Sequence, residues 1–511
     1  MTRRCGQVPE QRRDVERCDV VIVGSRLAGA CAAAHFAGAG RTVVALDRAH
    51  FPSDQLSTHL LFPSGVDELR RMGALPGILA HDPTRSPWLS LDAGEDVRLL
   101  ERWRPSGPID YCMCVPRLIQ DLELVKAARS AGADVRERHR VLDVLWRGGR
   151  AVGVRYADPD GVEHDLHASL VIGADGRRSP VAASVGSFAP YRASRNGRGL
   201  VFRYAEDPLV GTREGETIYQ WRDGESFAFL FPSAPRGTAL LLFMGAADEV
   251  LHARRDPEGY WAGKLARHPG MARRVAGVTG LTPLRSTRET TAYFRASSGP
   301  GWALLGDAGH FKDPVIGQGQ RDALWSGRAV AEATAALLDD PAALDAALRR
   351  WEHERDSECL HAYHFGNLET EIRPVSPVLT EILRRAAHTR TPDAGDLFGR
   401  ARTLPQVVSV PRMALGLADA VRHRTGGAPR ATIVREALEE LAVHLRIRRE
   451  QRADRFRSAR PIEGSEWPDP RPPAYRAPAH SRDATSDGPA REPAPAPAGL
   501  TNPIDPEVVS A

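Results

Sequence analysis

Three glycine-and-aspartate stretches, far apart in the chain, carry residue types suited to gripping a dinucleotide. The first is Gly24-Ser-Arg-Leu-Ala-Gly29, followed later by Asp47. Gly24 permits a tight turn, Gly29 lets a helix pack close, and the free amides at that helix start hold a pyrophosphate. Asp47 is placed to accept from ribose hydroxyls. Arg26 stands where the pattern has its second glycine; its side chain would crowd the phosphate approach or add a cation beside it. The second stretch is Gly173-Ala-Asp-Gly176. The third is Gly306-Asp-Ala-Gly-His310, with Pro314 and Gly317-Gln-Gly319 after it. The layout of 18–48 alone would also serve a purely structural crossover.

The elements needed to position these residues are legible. Asp19 to Val23 is a short apolar run suited to a buried parallel strand. Leu27 to Ala39 is Ala-rich helix material, and Arg41 to Leu46 reads as a second strand. Phe51 to His59 is a polar loop leaving the carboxyl edge of the sheet, where such folds bind ligands. Pro116 precedes a helix over Arg117 to Ala131. A period of two from Gly199 to Gly245 predicts an antiparallel meander, 247–276 reads as helical, and Arg285 to Phe294 as a further strand. The loop Pro314 to Gly319 runs into a helix from about Gln320, whose positive dipole end faces whatever the loop contacts.

Composition excludes several classes. Hydrophobic residues make up 42% and charged residues 26%, as in ordinary globular proteins, and the net charge of +4 does not argue for nucleic acid. Six sparse cysteines give no disulfide framework and no zinc spacing, so no metal site is expected. Cys112 and Cys114 would face one way in a strand, as structural thiols or as a redox pair. No run of 18 apolar residues exists, so no membrane span is expected, and a reduced cytoplasmic setting follows.

Together, and in this order, the three motifs resemble the FAD-dependent monooxygenase superfamily, which includes aromatic hydroxylases, geranylgeranyl reductases and flavin-dependent halogenases. The resemblance covers about residues 18–390. It implies an α/β fold: a Rossmann-like FAD-binding domain (18–195 and 286–345) with an inserted antiparallel β-sheet substrate domain (196–285). A disordered lead (1–17), a helical C-terminal region (346–458) and a disordered Pro-rich tail (459–511) would complete the chain. Gly24, Arg26, Ala28 and Gly29 would surround the FAD pyrophosphate, and Asp47, with Arg48 beside it, the adenosine ribose. Arg117 would reach the pyrophosphate or ribityl chain. Asp175 would lie near the pyrophosphate and the NAD(P)H approach. Gly306 and Asp307 would meet the ribityl chain, and Pro314, Gly317, Gln318 and Gly319 would offer amides to the flavin. His59 is the catalytic candidate, against a packing role.

The reaction implied is oxygenation of a small apolar or aromatic metabolite, with NAD(P)H as transient reductant and O2 adding at the flavin C4a to give a hydroperoxide that transfers one oxygen. Reduction of isoprenoid double bonds is the alternative, and halogenation a further one that lacks its paired-tryptophan signature. The state would be a monomer or homodimer. One rival concerns the C-terminus: Gln406 to Val410, read as a strand before two helices, resembles a ribbon-helix-helix DNA-binding unit. The duller reading has terminal helices packed on the FAD domain.

Overall fold

The computed structural model describes residues 16–453 apart from 95–96, 195–196 and 224. Within these, the first sheet has eight strands, of which five run parallel, in the order Trp302–Leu304, Glu163–Gly173, Glu16–Val23, Val43–Asp47, Asp134–Glu137. Val20 to Val23 is covered on both faces, which is why the run is uninterruptedly apolar. On one face lie the helices Leu27–Gly38, Arg117–Ser130 and Gly319–Thr334. A Cβ on Gly327 would sit 2.6 Å from the Ala28 carbonyl oxygen, so only glycine admits this helix–helix approach. The strands Arg140–Arg147 and Arg150–Ala157 help cover the other face.

Register decides where the motifs go. Val23 lies opposite both Gly173 and Leu46, and Gly173 opposite Leu304. The three strands that precede the motifs thus end level with one another, and the turns after them leave the same carboxyl edge. Glu16 and Arg17, expected in the lead, already belong to the first strand; the lead's other residues and the Pro-rich tail lie outside the described residues.

The second sheet has seven strands, in the order Arg285–Thr287, Arg198–Glu206, Thr238–Ala246, Ser226–Pro232, Thr217–Asp223, Trp88–Asp92, Arg98–Arg102. The meander from 199 is present, but the sheet also recruits the two strands at 88–102. Thr217–Asp223 pairs in parallel with Trp88–Asp92; the other pairings are antiparallel. The single strand expected over 285–294 is two: Arg285–Thr287 joins this sheet, while Tyr293–Phe294 pairs elsewhere, with Arg192–Ala193 and His310–Phe311. Both faces of the meander are buried. Trp221, Leu241 and Phe243 pack with Trp261 and Met271 of the following helices, and Phe202, Phe229 and Leu242 face the other way.

The described elements of the C-terminal region are all helices joined by short loops, including Pro341–Glu369, Pro377–Thr389, Asp393–Phe398, Val410–His423 and Arg430–Ala453. Gln406 to Val410 is not a strand. Leu404–Val407 is a helical turn with Pro405 in its first positions and Thr403 and Gln406 closing a capping box. The DNA-binding alternative therefore lacks its ribbon. Among the described residues, no helix is long and apolar enough to cross a membrane.

Candidate functional site

At the first turn Gly24 has φ +95°, and a Cβ there would sit 2.4 Å from the Ala174 carbonyl oxygen. The first and second motifs are therefore in direct contact. Gly29 must also lack a side chain: its Cβ would meet the Gly24 carbonyl oxygen at 1.7 Å. The third motif joins them, since a Cβ on Gly306 (φ +52°) would lie 3.0 Å from the Ala28 Cβ. Asp47 accepts from the Ser25 N–H at 2.7 Å and the Ala49 N–H at 2.8 Å, which fixes the turn. Arg48 is exposed beyond it.

Arg26 does not reach across the helix start. Its guanidinium pairs with Asp121, donates to the Ser53 hydroxyl at 2.8 Å and lies 5.4 Å from the Phe51 ring centroid. Arg117 holds the same carboxylate bidentately, at 2.7 and 2.9 Å. Asp121, fully buried, thus gathers two arginines, and the cluster keeps one positive charge beside the turn.

The other two carboxylates differ. Burial pushes the Asp175 carboxyl up to about 6, against hydrogen bonds from Ser179 and the Val181 N–H. Burial also raises Asp307, opposed by Arg177 and Arg117. Asp175 Oδ1 has no protein partner. Neither do Ser25 Oγ or either end of the buried Gln120 amide, one turn along from Arg117. No side chain caps the helix that begins at Leu27. Free amides, one uncompensated cation and orphaned acceptors suit a ligand bearing both phosphates and hydroxyls.

The loop Pro314–Ile316 is a tight turn fastened by Asp313, which accepts the Val315 N–H at 2.9 Å. Gly317 follows at φ +62°, against the Phe62 ring. The Gln318 side chain donates to the Phe398 carbonyl, so only its backbone faces the turn, and Gly319 opens the long helix. His310 buttresses from behind, its Nδ1 2.8 Å from the Tyr293 carbonyl oxygen and its ring stacked on Phe294.

Beside this loop lies a narrow cavity, partly open to solvent, with about 30 Å³ of room for the centre of a water molecule. Its floor is the second sheet's inner face, with Phe229, Phe231 and Leu242; Pro314 to Gly317 form one wall, and Phe398 closes another. His59 sits at its margin between Thr58 and Leu60, which both line it. His59 is fully buried at φ +60°. Its Nε2 faces the Gln55 carbonyl oxygen at 3.4 Å, so the Tyr204 hydroxyl is the donor to Nδ1. Burial first, then the Arg117 charge, hold the imidazole down to about 3, hence neutral. Burial raises the Tyr204 phenol.

A sequence profile of the FAD binding domain matches residues 17–359. The chain belongs to the FAD binding domain family. Among curated proteins, this FAD-binding chain is 29% identical over 330 residues to a menaquinone reductase of Mycolicibacterium smegmatis, covering 62% of this chain and 76% of that one. It is 26% identical over 376 residues to digeranylgeranylglycerophospholipid reductase 1 of Methanopyrus kandleri, covering 70% and 90%. Among solved structures, a flavin-dependent brominase superposes with a TM-score of 0.63 at 18% identity, over 80% of this chain and 99% of that one, which speaks for the fold alone. A flavoprotein oxidoreductase of this family holds FAD, and the converging turns fit it.

Sequence reasoning missed Ser25, Gln120, Asp121, Tyr204, Trp103 and Phe398. Of these only Asp121 left a local signal, four residues after Arg117 on one helix face.

Proposed function

We propose that the protein is an NAD(P)H-dependent FAD monooxygenase acting on a small apolar or aromatic metabolite. The observation that carries this is the cavity: aromatic, without charged side chains, and bordered by the Pro314–Gly317 loop beside the three converging turns. Gly24, Ala28 and Gly29 hold the pyrophosphate, Arg117 adds the charge of its cluster, and Asp175 and Asp307 accept from ligand hydroxyls. Asp47 fixes the turn while one lone pair on each oxygen stays open to a ribose hydroxyl. Pro314, Gly317, Gln318 and Gly319 present backbone to the flavin. Bound FAD supplies electron transfer from NAD(P)H and activation of O2. The chain's part is to exclude water and orient the substrate. Neutral His59, its two ring nitrogens taken by the Tyr204 hydroxyl and the Gln55 carbonyl, holds the loop at the cavity margin in place rather than acting as a base.

A second reading, reduction of a carbon–carbon double bond in an isoprenoid compound, is supported by the similarity to proteins named menaquinone reductase and digeranylgeranylglycerophospholipid reductase. The purified protein's flavin spectrum, its bleaching by NADH and NADPH separately, and turnover with and without oxygen decide. Coupled O2 consumption with oxygenated product supports the first reading; anaerobic substrate reduction at the aerobic rate refutes it.

A further inference from the structure

Among the groups lining the cavity, two N–H donors stand out. Trp103 and Gln220 are each 3% exposed, and neither Trp103 Nε1 nor Gln220 Nε2 has a partner. They reach the cavity from different elements. Gln220 projects from the sheet's inner face in a row with Leu91, Phe229 and Leu242. Trp103 follows the edge strand and packs edge-on to Phe62, ring centroids 5.3 Å apart. Buried donors are normally paired, and leaving one unpaired in a dry site costs free energy that a bound acceptor recovers.

We infer that these two donors are a carbonyl clamp, and that the substrate is a neutral, flat, apolar compound carrying a conjugated carbonyl oxygen. The inference rests on the cavity's being the substrate site and adds what is bound there. The lining holds no charged side chain, so an anionic or cationic ligand would be buried uncompensated. Beyond the two donors, Thr58 is the only other lining residue with a polar side chain. A carbonyl, which accepts and does not donate, answers the two unpartnered N–H groups, whereas the amide oxygen of Gln220 is not among the buried atoms left without a partner and sets no matching demand for a donor. The phenyl rings of Phe62, Phe229, Phe231 and Phe398 supply stacking surfaces for the apolar body.

The test is equilibrium dialysis of the oxidised, flavin-loaded enzyme, without NAD(P)H, against indanone, indane and indanol. These probes share one skeleton and differ at one oxygen. Wild type is expected to bind indanone at least about tenfold more tightly than indane, with indanol between them. Trp103→Phe and Gln220→Met, checked for unchanged flavin content, should each cut that preference to about threefold or less while leaving indane binding unmoved. Equal affinity for ketone and hydrocarbon in wild type overturns the inference, as does a preference that survives both substitutions or failure of every probe to bind. Binding is read without turnover, so failure of the oxygenase assay leaves this result standing, and the reverse holds too.

Discussion

Replacing Gly24 by alanine tests the convergence of the turns most directly. Two penalties apply and can be separated. The φ of +95° costs an L-residue about 1–2 kcal/mol. The new methyl would also lie 2.4 Å from the Ala174 carbonyl oxygen and 2.8 Å from its carbon. Backbone cannot rotate aside as a side chain can, so the first or second turn must move, at an overpacking cost of about 1–3 kcal/mol. Gly40→Ala is the control: its φ is +80°, and a Cβ there meets nothing within 4 Å. The two variants should share the conformational cost, and only Gly24→Ala should carry the steric one. If the displaced turn is the pyrophosphate site, that excess appears as a flavin dissociation constant raised about 5- to 150-fold. The readout is the flavin-to-protein absorbance ratio after dialysis, with the melting temperature measured with and without added FAD. Equal flavin retention by the two variants would refute the reasoning.

Three further outcomes follow from the same geometry. Asp121→Asn leaves the Arg26 and Arg117 guanidinium groups without their shared counter-charge, at a cost of about 3 kcal/mol; melting should fall, and added FAD should restore more of it than in wild type. For His59 the folded value lies below the ordinary one, so the unfolded chain binds the extra proton and stability falls with acid, starting near the ordinary value of 6.5 and continuing towards about 3. His59→Gln should flatten that slope in chemical denaturation, by at most about 3 kcal/mol between neutrality and pH ~4; a wild-type slope refutes it. Phe398→Ala opens the cavity wall and should cost about 3 kcal/mol in stability while raising KM more than it lowers kcat, as steady-state kinetics would show.

The edge where the three motifs meet was legible because its demands are local. A glycine at positive φ, a carboxylate after an apolar run and a helix behind them all sit within one short stretch, and strand register then brings the stretches together. The cavity was not, because its parts meet only through tertiary pairing. The strands at 88–102 were invisible until Thr217–Asp223 gave them a partner in parallel register. The contact of Tyr204 with His59 spans 145 residues. Gln406 to Val410 misled through its β-branched valines, whose strand preference is weak beside the Thr403–Gln406 cap and the burial of Val407 and Val408. Arg26 needed the fold as well, since Ser53 and Asp121, which draw it aside, come from two other segments.

Phe398 comes from a helix beyond the stretch 17–359 matched by the family profile, and Gln318, just after the Pro314–Gly317 loop, is tied to its carbonyl. One side of the cavity thus lies outside the stretch that the family profile matches. Gln318 holds only the backbone carbonyl of Phe398, so the ring can be exchanged for another side chain without losing that tie, and variation in this segment would reshape one wall of the cavity first.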